Sequence, residues 1–119
     1  MAIHHIALRT RDVPALASFY RTLFGLEVVR RQGDHSVWLD ADPTILMIEE
    51  AGDDEPPIPQ GSMEFLALSV TQAQARDLDE RLSAASIELE HQTEHTRYLR
   101  DPDGRRVGYS WYPSSAHSE

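Results

Sequence analysis

The order of apolar segments along the chain repeats once, and an internal repeat constrains an architecture before any single element is assigned. His5-Ile6-Ala7-Leu8-Arg9-Thr10 is matched by Phe65-Leu66-Ala67-Leu68-Ser69-Val70. Each segment alternates as a strand with one face against a core does. Each then runs into a helical pattern. In the first copy Asp12 is a good N-cap and Pro14 suits the first turn; Leu16, Phe19, Tyr20, Leu23 and Phe24 make an apolar stripe that stops at Gly25. In the second copy Thr71 caps a segment in which Ala75, Leu78 and Leu82 recur at helical spacing, with Arg76, Asp77, Asp79, Glu80 and Arg81 on the wet side.

Short β-like runs follow each helix. They are Leu26 to Arg30, Ser36 to Leu39 and Thr44 to Glu49 in the first copy, and Ile87 to Glu90, Thr96 to Arg100 and Arg105 to Trp111 in the second. Turns correspond as well. Asp40-Ala41-Asp42-Pro43 stands where the other copy has Asp101-Pro102-Asp103-Gly104, a strong hairpin turn because Pro fixes φ and Gly tolerates φ > 0. An α+β fold of two βαβββ modules is therefore expected, over 3–50 and 62–113 of a single domain 1–119. A Pro-rich acidic linker without periodicity occupies 51–61, and a flexible tail is expected over 114–119.

Composition narrows the chemistry. The chain has 119 residues, about one common domain, and no cysteine, which removes disulfides, thiolate nucleophiles and Cys-ligated metals. Eleven basic against twenty acidic residues give a formal charge of -9, which repels a phosphate backbone, so no nucleic-acid partner is expected. No stretch approaches the roughly 20 apolar residues of a membrane span. Met1-Ala2-Ile3-His4-His5 lacks the basic and apolar regions of a signal peptide, so no membrane association and a cytoplasmic location are expected.

The repeat, Phe19-Tyr20 in the first helical segment, and Asp101-Pro102-Asp103-Gly104 before the last strand together resemble the vicinal oxygen chelate superfamily of glyoxalases, bleomycin-resistance proteins and extradiol dioxygenases, over roughly residues 3 to 113. The resemblance implies that each module curls its four strands into a cup. It also implies that two modules, often exchanged between subunits of a homodimer, close a groove around a small organic ligand or a metal. If Ile6 and Leu8 pack under the first helix, His5, Ala7 and Arg9 face the concave side, since side chains alternate along a strand. By the same parity Ile45, Met47, Glu49, Phe65, Ala67, Ser69, Arg106, Gly108 and Ser110 line it.

Metal-dependent members take ligands, commonly His or Glu, from the first and last strands of each module. Carried over to this chain, those four places hold His5, Met47, Phe65 and Gly108. One imidazole cannot hold a divalent ion that needs about three N or O donors, so no cofactor and no family metal site are expected. Met47 and Phe65 suit the groove to an organic ligand of low polarity, as in the antibiotic-sequestering branch. Two escapes remain open. A bulge can bring Glu49 toward His5, giving a metal site or an acid-base pair from those two residues. A one-residue register shift offers His4 and Glu64 instead, at the cost of turning the apolar residues outward.

The remaining candidates each carry two readings. Trp38 and Tyr98 occupy matching positions and either stack on a planar ligand or belong to the core. Arg9 and Arg106 either pair with an acidic ligand group at the groove mouth or are surface residues. Met47 touches ligand or fills an irregular core. His91, Glu94 and His95 read as a solvated loop, and Tyr109 and Trp111 as packing under the second helix. The function expected is small-molecule binding of the bleomycin-resistance type without a metal. The alternatives are a metal-dependent lyase, isomerase or extradiol dioxygenase, or a metal-free enzyme using His5 and Glu49.

Overall fold

A computed structural model describes residues 1–113, and the expected tail over 114–119 lies outside the described residues. The chain is an α+β protein of two compact units, dividing at Pro59 and Gln60. Each holds one four-stranded mixed sheet and one helix. None of the described helices is long and apolar enough to cross a membrane.

The first unit runs β1 (His5–Thr10), α1 (Val13–Phe24), β2 (Val28–Gln32), β3 (Ser36–Ala41) and β4 (Thr44–Glu50), with sheet order β1-β4-β3-β2. β1 pairs parallel to β4; the other pairs are antiparallel. The helix begins where its sequence says it should. The Asp12 carboxylate accepts the Ala15 N–H at 3.1 Å, Pro14 lies in the first turn, and Gly25 ends the helix in the left-handed region at φ 70°. Val13, Leu16, Ala17, Tyr20 and Leu23 form its buried face, and α1 packs against β3 and β4. Beneath it lie Leu8, Val37, Leu39, Leu46 and Ile48, all buried. Each such aliphatic side chain removed from water contributes about 1.5–3 kcal/mol.

The second unit repeats the plan with β5 (Phe65–Ser69), α2 (Gln72–Ala84), β6 (His91–Gln92), β7 (Thr96–Arg100) and β8 (Arg106–Ser110), in the order β5-β8-β7-β6. Thr71 and Gln74 close a reciprocal capping box at the start of α2. Ala75, Leu78, Leu82, Leu99, Val107 and Tyr109 form the core. Tyr109 is fully enclosed, and its hydroxyl donates to Asp79 of α2 at 2.5 Å. Burial first, and Asp79 second, push the phenol pKa above its ordinary value. The late turn is built around Asp101. Its buried carboxylate accepts the N–H groups of Asp103 and Arg105, at 2.9 and 3.0 Å, and is paired with the Arg105 guanidinium at 3.2 Å.

Four expectations shift. The run expected at Leu26 to Arg30 becomes a strand only from Val28, because Gly25 turns the chain and Leu26 and Glu27 carry it back to the sheet. The run expected at Ile87 to Glu90 is not a strand. Ser86 adopts φ 57° and the Ile87 N–H bonds the Leu82 carbonyl at 2.9 Å, so it closes the end of α2 instead of joining a ladder. Pairing starts with the Glu90 N–H, which bonds the Tyr98 carbonyl at 2.7 Å, and the strand itself begins at His91, which was expected in a loop and lies opposite Tyr98. Trp111 lies beyond β8, with the Arg97 guanidinium 4.7 Å above its ring.

Candidate functional site

Burial alternates along β1 and β4, and along β8 it is interrupted at Gly108, so one face of each sheet is closed by its helix and the other is open. In the first unit Leu8, Leu46, Ile48, Val37 and Leu39 take the closed face. His5, Ala7, Arg9, Ile45, Met47, Glu49 and Trp38 share the open one, half-buried or exposed. The strand register arranges them in rows across the sheet. One row is His5, Ile45 and Asp40; the next is Ala7, Met47, Trp38 and Arg30; the third is Arg9, Glu49, Ser36 and Gln32. In the middle row the Arg30 guanidinium lies 5.1 Å above the Trp38 ring, whose N–H donates to the Ser36 hydroxyl at 3.0 Å.

This register separates His5 from Glu49. They share a face, but four residues along the strands put about 13 Å between their rows. The His5–Glu49 pair that a bulge would allow does not form, since β1 and β4 run in unbroken register. The nearest polar neighbour of His5 is the His4 ring, Nδ1 to Nδ1 at 2.7 Å. Glu49 stands beside Arg9, 3.5 Å from its Nη1. Arg9 is held more firmly by Glu55, which accepts from Nε and Nη2 together. The Arg9 guanidinium, with help from the Gly52 N–H, holds the Glu55 carboxyl at about 2. Arg11 donates to the backbone carbonyls of Asp53 and Glu55 at 3.1 and 2.8 Å. Beside these groups lies an open cleft of about 430 Å³, lined by Arg9, Gln32, His35, Ser36, Glu49, Glu50, Ala51 and Gly52. His35 Nδ1 meets the Glu50 carboxylate, which raises the imidazole pKa.

The open face of the second unit follows the same row pattern with different chemistry. Phe65, Arg106 and Arg100 form one row; Ala67, Gly108, Tyr98 and His91 form the next; Ser69, Ser110 and Thr96 form the last. The Phe65 and Tyr98 rings lie 4.3 Å apart, and the Arg106 guanidinium sits 4.3 Å from the Tyr98 centroid. Glu90 anchors Arg100 at 2.5 Å and Arg106 at 2.8 Å, and Arg100 before Arg106 keeps its carboxyl below the usual range. The Thr96 and Ser110 hydroxyls bond each other at 2.8 Å.

Gly108 is a glycine by necessity. A Cβ built there comes within 2.9 Å of the Arg97 carbonyl carbon, closer still to its oxygen, and 3.2 Å from the Phe65 ring. Real Cβ atoms do not approach below 3.0 Å. This position on β8 is therefore closed by the β7 backbone and roofed by an aromatic ring. Of His5, Met47, Phe65 and Gly108, the residues the resemblance puts at a ligand set, His5 alone carries a donor side chain for a hard or borderline cation. Among the described residues no three His, Asp or Glu side chains come together as ligands. That donor set does not fit a divalent ion, which needs about three N or O ligands in fixed geometry.

Sequence reasoning missed Glu55, Arg11 and Glu90. Glu55 sits in the aperiodic linker and meets Arg9 across 46 positions. Glu90 shows its role only once Arg100 and Arg106 converge on it.

A sheet of order β1-β4-β3-β2 with one helix on its closed face, given twice, defines a paired βαβββ protein with two open strand faces. The chain belongs to the Glyoxalase/Bleomycin resistance protein/Dioxygenase superfamily, whose family model matches residues 2–109. Among solved structures it is similar to a lactoylglutathione lyase from Agrobacterium tumefaciens, at 26% identity over 92% of each chain with a TM-score of 0.72. It is similar in fold to a possible glyoxalase from Bacillus cereus, at 23% identity over 92% of this chain and 98% of that one, TM-score 0.75. It also shares the fold of a fosfomycin resistance protein from Listeria monocytogenes complexed with manganese(II), at 15% identity over 99% of this chain and 98% of that one, TM-score 0.78. No curated protein sequence matches it.

Proposed function

We propose that this protein is a small-molecule-binding member of its superfamily, of the bleomycin-resistance type, acting in the cytoplasm as a homodimer without the family metal. The observation that carries this reading is the set of residues in the four ligand places, His5, Met47, Phe65 and Gly108, with the last closed by the Arg97 backbone. What the open faces offer instead is ring surface next to fixed positive charge: Trp38 under Arg30, and Tyr98 with Phe65 under Arg106. Such surfaces stack on a planar ligand and orient its polar edge. His5, exposed and not paired with Glu49, supplies a hydrogen bond more readily than a catalytic dyad.

The likeness to a lactoylglutathione lyase at 26% identity favours one other reading, a metal-dependent enzyme of the same superfamily. Thermal-shift titration separates the two. Stabilisation by planar aromatic compounds, and none by nickel, zinc, manganese or iron(II), is the expected result. Stoichiometric stabilisation by one of these ions, lost in His5→Ala, would replace the binding reading with the enzymatic one. Gel filtration reads the oligomeric state, and elution as a monomer removes the homodimer.

A further inference from the structure

Arg9 is the cation that the sequence offers to an acidic ligand group, and the structure gives it a carboxylate from its own chain. Glu55 lies in a segment that belongs to no strand or helix, yet its side chain takes Arg9 Nε at 3.2 Å together with Nη2. The two-pronged geometry is the one by which a guanidinium recognises a carboxylate or phosphate. The segment is tied down at few points. Gly52 donates to the Glu55 carboxylate at 2.9 Å, Glu55 N–H returns to the Gly52 carbonyl at 3.1 Å, and Arg11 holds the Asp53 and Glu55 carbonyls. All of these contacts are exposed, so they are open to competition from dissolved ions.

We propose that residues 52–55 form a strap whose Glu55 carboxylate occupies an oxyanion site at Arg9, and that a small carboxylate or phosphate-like anion binds there by displacing it. The inference rests on reading the open faces as a small-molecule site and adds the charge class of one ligand group. The neighbouring cleft has room for the rest of a small ligand, since binding sites run from about 300 Å³ upward. Release of Glu55 also changes the local balance. Arg9 then faces Glu49, with His35 already committed to Glu50, and one carboxylate fewer opposes an incoming anion.

Amide hydrogen exchange and side-chain NMR on the full chain test this. Sodium acetate and sodium phosphate are each compared with sodium chloride at equal ionic strength. The expected result is several-fold faster exchange at the Gly52 and Glu55 amides with one or both oxyanions and not with chloride; the anion that acts identifies the ligand group. In Glu55→Gln the Arg9 Nε–H should titrate with that anion about tenfold more tightly than in the unsubstituted protein, and Arg9→Gln should abolish the response. The α1 amides of Leu16 and Tyr20 report that each variant keeps its fold. Identical exchange in all three salts, or no gain in affinity in Glu55→Gln, overturns the proposal. Planar compounds that bind while the strap stays unmoved sink only this inference; anions that release the strap while no planar compound binds sink only the reading above.

Discussion

Adding a single methyl group at Gly108 should cost the protein as much as a large core truncation. The Cβ of Gly108→Ala would fall 2.9 Å from the Arg97 carbonyl carbon and 3.2 Å from the Phe65 ring, with the carbonyl oxygen nearer still. Phe65 can turn aside, but the Arg97 carbonyl belongs to β7, which is held against β8 on either side by the Arg97–Tyr109 and Leu99–Val107 pairs. Relieving the clash means moving that peptide further than a hydrogen bond stretches. Two ladder bonds at about 1 kcal/mol each are then lost. Overpacking of a closed region adds about 1–3 kcal/mol. The sum is about 3–5 kcal/mol, or a Tm lower by roughly 12–20 °C for a chain of this size. Thermal unfolding followed by far-UV circular dichroism reads it directly. A Tm within about 2 °C of the unsubstituted protein would show that β8 has slack here. The claim that this position excludes a metal-binding side chain would fall with it.

Three further changes have defined outcomes. Tyr109→Phe removes the bond to Asp79 and should destabilise by about 1–2 kcal/mol in urea titration; Asp79 is 37% exposed and rehydrates, so the loss stays at the low end for a charged partner. Ser86→Gly should stabilise by about 0.5–1 kcal/mol, because φ 57° strains a residue with a Cβ; a drop in Tm would mean that the Ser86 side chain matters more than its backbone. Glu55, depressed from 4.5 to about 2, contributes in full above pH 4.5 and loses its contribution as pH falls toward 2. The Tm gap between the unsubstituted protein and Glu55→Gln should therefore be present at pH 6 and close by about pH 2; a gap independent of pH would deny the Arg9–Glu55 pair its role.

Helix ends were legible because their signals are local. Asp12, Pro14, Gly25 and Thr71 act within one turn of the residues they cap, and the structure uses each of them. The assignment of His5, Ala7 and Arg9 to one face was legible for a similar reason, since alternation is a property of a single strand. Register is not. Whether Glu49 stands opposite His5 or Arg9 depends on how β4 slides along β1, and period two fixes a face without fixing a row. The β6 error has a different origin. Ile87 has the β-branched character of a strand residue, but its N–H satisfies the Leu82 carbonyl at the end of α2, and that competition between elements is invisible in composition. Glu55 was hidden because a Pro-rich acidic run reads as linker whatever its side chains reach.

The turn around Asp101 bears on the order in which the second unit assembles. Its carboxylate and main chain bond groups only two to four residues ahead, so the β7–β8 hairpin can close with little chain entropy lost. β5, by contrast, meets β8 in parallel from far upstream, Phe65 against Arg106, and such a distant pairing is slow to find. The hairpin should thus be the seed on which the remaining strands and α2 condense. In pulsed hydrogen exchange during refolding, β7 and β8 amides should gain protection before those of β5; protection of β5 first would place the nucleus elsewhere.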